Sequence, residues 1–101
     1  VLSDRVSENS QPLGASDVFT TGTGVIYAFF NYADTKPEME WAHVWYHETE
    51  EIGRETQPWR WGTIGRAYIY RGFSDGMKPG NYQLMFYADG ILQTVATFSV
   101  R

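Results

Sequence analysis

The residues best suited to chemistry lie in one stretch, residues 43 to 51, which reads HVWYHETEE. His47 to Glu51 comes within one residue of His-Glu-x-x-His, the zinc motif in which two histidines four apart share a helix face and the glutamate acts as base. Glu51 stands where the second histidine must be, and the segment follows a strand pattern rather than a helical one, so no metalloprotease centre is expected. His43 and His47 also have the four-residue spacing. On a strand rising about 3.3 Å per residue they stand roughly 13 Å apart, too far to share a metal. Both are read as half-exposed structural histidines, and the acidic run as a solvated hairpin. No Gly-x-Ser-x-Gly elbow occurs, and no paired carboxylates sit in a cleft-forming context. GTGVIY and GTIGRA lack phosphate-cradling spacing, and no helix follows either. This domain is therefore expected to have no catalytic residue, no metal, no cofactor and no enzymatic activity of its own.

Aromatic residues are the other conspicuous chemistry. They make up 17% of the chain, a heavy load for 101 residues. Each ring has about 150–250 Å² to bury, so some are expected at the surface. PWRWGT, residues 58 to 63, places Trp59 and Trp61 two apart, on one side if the segment is extended. Two displayed indoles would suit sugar rings, which stack their C–H faces on them. Alternatively one indole folds over an open end of the core as a plug, and this is the reading favoured here.

Composition narrows the setting. At 43% hydrophobic the chain is no disordered segment, and its length suits one domain, residues 1–101. The net charge of −4 and scattered basic residues disfavour nucleic acid. No apolar run approaches the ~20 residues of a membrane span, so no membrane insertion is expected. The absence of cysteine removes disulfides and thiolate chemistry. A chain beginning at Val1 without methionine reads as a domain excised from something longer.

The pattern is β almost throughout. Strands are expected at Val1–Val6, a short edge segment at Asp17–Phe19, then residues 25–32, 41–48, Glu51–Thr56, 65–72, 81–88 and 91–100. That is about seven strands with turns every 8–12 residues, the signature of a sandwich or barrel. The last hairpin offers two registers. A two-residue Asp89-Gly90 turn would set Leu84 opposite Val95 and split the apolar residues between faces. A three-residue Ala88-Asp89-Gly90 loop gathers Tyr82, Leu84, Phe86, Leu92, Ala96, Phe98 and Val100 on one face. Because a one-residue slip flips every side chain, the three-residue loop is predicted, with Gly90 at a left-handed position.

DGMKPGNYQL, residues 75 to 84, resembles the turn into strand F of immunoglobulin-like domains. In that alignment Leu84 takes the place of the disulfide cysteine and Lys78 that of the usual Asp. Tyr82 matches the tyrosine corner, whose hydroxyl bonds to upstream backbone, and Trp45 resembles the core tryptophan of strand C. The order of FTTGTGVIYAFFNY, WAHVWYHE, the W-x-W-G segment, DGMKPGNYQLMFYADG and ATFSV is similar to cysteine-free immunoglobulin-like or fibronectin-like accessory modules of bacterial extracellular and membrane-anchored proteins. The resemblance implies an immunoglobulin-like antiparallel β-sandwich at a bacterial surface, serving as an interaction or spacer module beside other domains. Its strands B and E are sheet neighbours. With Ile26, Ala28, Phe30, Ala67 and Ile69 inward, Tyr27, Phe29, Tyr68 and Tyr70 would then form one outward stripe. That stripe is the expected contact for a protein partner, the parent protein or a weak homodimer. The alternative is a carbohydrate-binding module using Trp59, Trp61 and Trp41 with Tyr68 and Tyr70.

Overall fold

The computed structural model describes residues 1–9, 11–33, 35–36 and 39–101, and among them every regular element is a strand. β1 (Leu2–Ser3), β5 (Val25–Ala33) and β8 (Ile64–Gly72) form one sheet, in the order β1-β5-β8. A second sheet is built from β4 (Val18–Phe19), β6 (Glu40–His47), β7 (Glu50–Pro58), β9 (Gly80–Ala88) and β10 (Ile91–Val100), in the order β4-β10-β9-β6-β7. β2 (Arg5–Val6) and β3 (Pro12–Leu13) make a small hairpin beside them. All pairings are antiparallel except β4 on β10, which is parallel. The segment expected as one strand over Val1–Val6 divides at Asp4. The Glu51–Thr56 strand proves longer, because its pairing with β6 runs from His47↔Glu50 to Glu40↔Pro58.

Alternation explains which side chains meet. On β5, Ile26 and Ala28 turn inward, and Ile69 joins them from β8. Trp41 and Trp45 on β6, Tyr82, Leu84 and Phe86 on β9, and Phe98 and Val100 on β10 face them from the second sheet. Positions two apart thus fill one shared core, as the period of a strand requires. Trp45 and Leu84 lie opposite each other in the pairing of β6 with β9, and both are buried.

The final hairpin corrects the predicted loop. Ala88 pairs with Ile91, so the turn is the two-residue Asp89-Gly90, with both φ angles positive at 50° and 81°. Such a turn matches the twist of the flanking strands. A bulge at Gln93 then shifts the register, because Leu92 faces Tyr87 whereas Thr94 faces Phe86. The extra residue restores the parity that the apolar pattern demanded, and Ala96, Phe98 and Val100 share the core face with Tyr82, Leu84 and Phe86. Leu92, expected on that face, precedes the bulge and is left exposed.

Tyr82 anchors the start of β9. Its ring stacks on Phe98 at 4.9 Å and 8° and meets Phe73 edge-on. Its hydroxyl donates to the Lys78 carbonyl oxygen at 2.7 Å. Tyr82→Phe should therefore cost about 1 kcal/mol through the lost hydrogen bond, and Tyr82→Ala about 3–5 kcal/mol. Chemical denaturation measures both. An unchanged midpoint for Tyr82→Ala would show that the ring carries no structural weight.

Candidate functional site

β7 ends at Pro58, and the chain must then cross to β8 in the other sheet. It crosses as a tight loop, in which the Trp59 and Trp61 rings stay in edge-on contact at 5.1 Å. The Trp59 backbone N–H donates to the Met39 carbonyl at 2.7 Å, and its indole N–H turns back to the Gly62 carbonyl at 2.7 Å. Thr35 and Tyr32 donate hydroxyl hydrogen bonds to the Gly62 and Trp61 carbonyls. Trp59 is left 4% exposed and Trp61 39% exposed. The plug reading holds for Trp59, while the displayed pair is not formed.

Around Trp59 the rings of both sheets converge. Its centroid lies 4.8 Å from Tyr32, 5.3 Å from Trp41 and 5.1 Å from Trp61. Phe30 of β5 meets Phe86 of β9 at 5.0 Å, directly bridging the sheets. Tyr32 lies across Gly65, its β8 partner, where an added Cβ would come within 2.8 Å of the hydroxyl. Trp41, proposed from sequence as a contact residue, is instead buried. It shares the inward face of β6 with His43 and Trp45, and its neighbours enclose it.

The cluster does not close the molecule at that end. A cleft of about 450 Å³ opens between the last residues of β5 and the first of β10. Phe30, Tyr32, Trp41, Trp59 and Phe86 line its floor, with Asp89, Ile91 and Gln93 at its rim. The inward period of β5 pointed to Phe30. Nothing in the sequence singled out the rim, because it depends on the bulge at Gln93.

On the other side of the smaller sheet, the four rings of the predicted stripe do come together. Tyr27 faces Tyr70 and Phe29 faces Tyr68 in the β5–β8 register. Ring centroids are 5.8 Å apart for Tyr27–Tyr68 and Tyr27–Tyr70, and 5.0 Å for Phe29–Tyr68. Their exposure is unequal. Tyr70 is 65% exposed and Tyr27 and Tyr68 are half-buried, but Phe29 is only 7% exposed. Phe29 points to the expected face, yet β2 packs against β5 there. Gln11, in the turn of that hairpin, accepts a 3.1 Å hydrogen bond from Arg66 of β8. The hairpin thus shields Phe29, and three tyrosines remain available.

The histidines separate in character. His43, expected to be half-exposed, is buried, because position 43 shares the inward face of Trp41 and Trp45. Its Nδ1 accepts from the Trp45 indole N–H at 3.3 Å, and its Nε2 lies 3.3 Å from a Glu55 carboxylate oxygen. Nδ1 can accept from Trp45 only while unprotonated, so the neutral Nε2–H tautomer fits both partners. Burial pushes the pKa of His43 below its ordinary value. Glu55 opposes that shift, and Arg71 adds to it. Among the described residues, no three of His, Asp or Glu are grouped to hold a metal ion.

Comparison with known proteins yields no matching family model and no matching curated relative.

The depressed pKa of His43 has a definite sign. Above about pH 6.5 the side chain is neutral in both folded and unfolded states, and the stability is fully present. Below that, the unfolded chain takes up a proton that the folded chain refuses. Stability then falls by up to about 1.4 kcal/mol per pH unit until folded His43 also protonates. Wild type should lose more stability between pH 6.5 and 5 than His43→Gln, and the His43 ring should titrate below 6.5 by NMR. A titration midpoint at or above 6.5 would contradict the neutral assignment.

Proposed function

We propose that this chain is a non-catalytic interaction or spacer module, immunoglobulin-like in strand order, within a larger bacterial extracellular or cell-surface protein. Three features support the immunoglobulin-like reading. The sheet orders β1-β5-β8 and β4-β10-β9-β6-β7, with β4 parallel to β10, match an arrangement whose first strand is shared between sheets. The Tyr82 hydroxyl bond to Lys78 has the form of a tyrosine corner. Trp45 and Leu84 sit buried at the positions the resemblance assigns them. The bacterial and extracellular setting rests on the resemblance.

The observation that carries the interaction reading is the tyrosine stripe. Tyr27 touches both Tyr68 and Tyr70 on the outward face of β5 and β8, and Tyr70 stands largely in solvent. Tyrosine supplies rigid apolar area with a polar tip, a combination enriched where proteins dock. The occupant is a protein surface, either another domain of the parent or a separate partner. The carbohydrate alternative keeps one supporting observation, the half-open indole of Trp61 beside the aromatic cluster. It loses Trp59 and Trp41 to the interior.

Hydroxyl-radical footprinting distinguishes the readings. Tyr70 should be labelled readily in the isolated chain and at least several-fold more slowly in the intact parent protein or its native complex. Equal labelling in both would overturn the docking surface. Movement of the Trp61 indole signal on adding oligosaccharides, with Tyr70 still open, would favour the glycan reading.

A further inference from the structure

The outer strands of the larger sheet are guarded very unequally. β7 carries Glu50, Glu51, Arg54, Glu55 and Pro58 along its length, the residue types that keep a sheet edge from pairing. β10 reads ILQTVATFSV, with neither charge nor proline. Among the described residues, its outer edge is paired at one end only. There the Ser99 N–H donates to the Asp17 carbonyl and the Arg101 N–H to the Phe19 carbonyl, each at 2.9 Å. Successive residues of a strand turn their backbone groups to opposite sides, so Thr97 and Val95 direct theirs to this same edge. The covering segment departs before pairing with them. The Ser16 N–H already bonds to the Leu2 carbonyl at 3.1 Å, in the other sheet. Among the described residues none pairs with the backbone of residues 91 to 97 along this edge, although Ala15 to Asp17 flank Thr97, and Ile91, Leu92 and Val95 are 66%, 47% and 41% exposed.

We infer that this half of β10 is a self-association edge, on which two copies of the chain pair antiparallel about a two-fold axis and join their larger sheets into one. A second copy fits for three reasons. Antiparallel pairing of a strand with itself is two-fold symmetric, so the free groups of Val95 in each copy meet those of Thr97 in the other. The strand is neutral, so this contact sets no like charges opposite each other, although each copy carries a net charge of −4. The new pairing also continues the edge interface that β4 already makes. The bulge at Gln93 limits the regular run to a few residues, which makes the association weak and reversible. This edge lies in the larger sheet, apart from the tyrosine stripe, and does not depend on it.

Sedimentation velocity over about 10 μM to 1 mM spans the dissociation constants of a contact this small. Wild type should pass from monomer to dimer in that range. Val95→Lys, on the outer face, should weaken dimerisation at least tenfold while keeping the wild-type melting temperature. Leu92→Lys, also exposed, serves the same purpose should Val95→Lys fail to fold. Tyr70→Ser, in the other sheet, should leave association unchanged. A wild type that stays monomeric throughout overturns the inference, as does a folded lysine variant that dimerises like wild type. Loss of the dimer in Tyr70→Ser would move the contact to the tyrosine stripe. A monomer that binds an unrelated extended valine–threonine peptide would assign the edge to a foreign strand instead.

Discussion

Two sheets without a disulfide between them are held together mainly by packing, and at one end of this molecule aromatic rings do that work. Phe30 reaches across from β5 to Phe86 on β9, and Trp59 enters from the connecting loop to touch Tyr32 and Trp41. Ring pairs in such tilted and edge-on geometries contribute about 0.5–1.5 kcal/mol each beyond their area burial. The loop can deliver Trp59 only because its own polar groups are satisfied. The indole N–H closes onto Gly62, and Tyr32 and Thr35 tie down the neighbouring carbonyls. At the other end Tyr82 meets Phe73, just past β8, edge-on, while stacking on Phe98 and bonding to Lys78.

These anchors leave the two flanks of the molecule different. On the flank of β7 and β8, Arg71 crosses between the sheets and donates to the Ile52 carbonyl at 2.6 Å. Gly53 makes room for it, since a Cβ there would fall about on the guanidinium. On the flank of β5 and β10, short β1 and β4 cover only part of each edge, and the cleft lies where they stop. The first flank is charged and braced, whereas the second is neutral and partly covered and carries a groove. The tyrosine stripe adds a separate contact face.

Most of the strand framework was legible in the sequence because turn residues and alternating apolar positions coincide. Ile26, Ala28, Ile69, Leu84 and Phe98 all lie on the faces that period-two reading gives. The misreadings share one cause, which is tertiary context that no local pattern encodes. Phe29 points outward as its position requires, yet the β2–β3 hairpin, distant in the alternation argument, shields it. Trp41 lies in phase with Trp45 and so belonged inside, and its indole was open to misreading only because tryptophan also suits a binding face. The Asp89-Gly90 pair signalled a two-residue turn correctly, but the apolar pattern beyond it argued for another loop. The three-residue loop was wrong, yet the parity it was meant to explain holds beyond Gln93, where a bulge supplies the extra residue and an ordinary glutamine announces none. For the candidate surfaces, the tyrosines of β5 and β8 were readable from alternation. The unpaired edge of β10 was not, because it depends on where β4 leaves the sheet.

Trp59 packs into one end of the core, as the floor of the cleft, by closing its indole N–H onto Gly62, and indole hydrogen exchange followed by NMR tests this most directly. The Trp59 indole proton should exchange slowly, like that of buried Trp45, which donates to His43. The half-exposed Trp61 should exchange much faster. A Trp59 indole exchanging as fast as that of Trp61 would show that the two sheets lack this plug at that end.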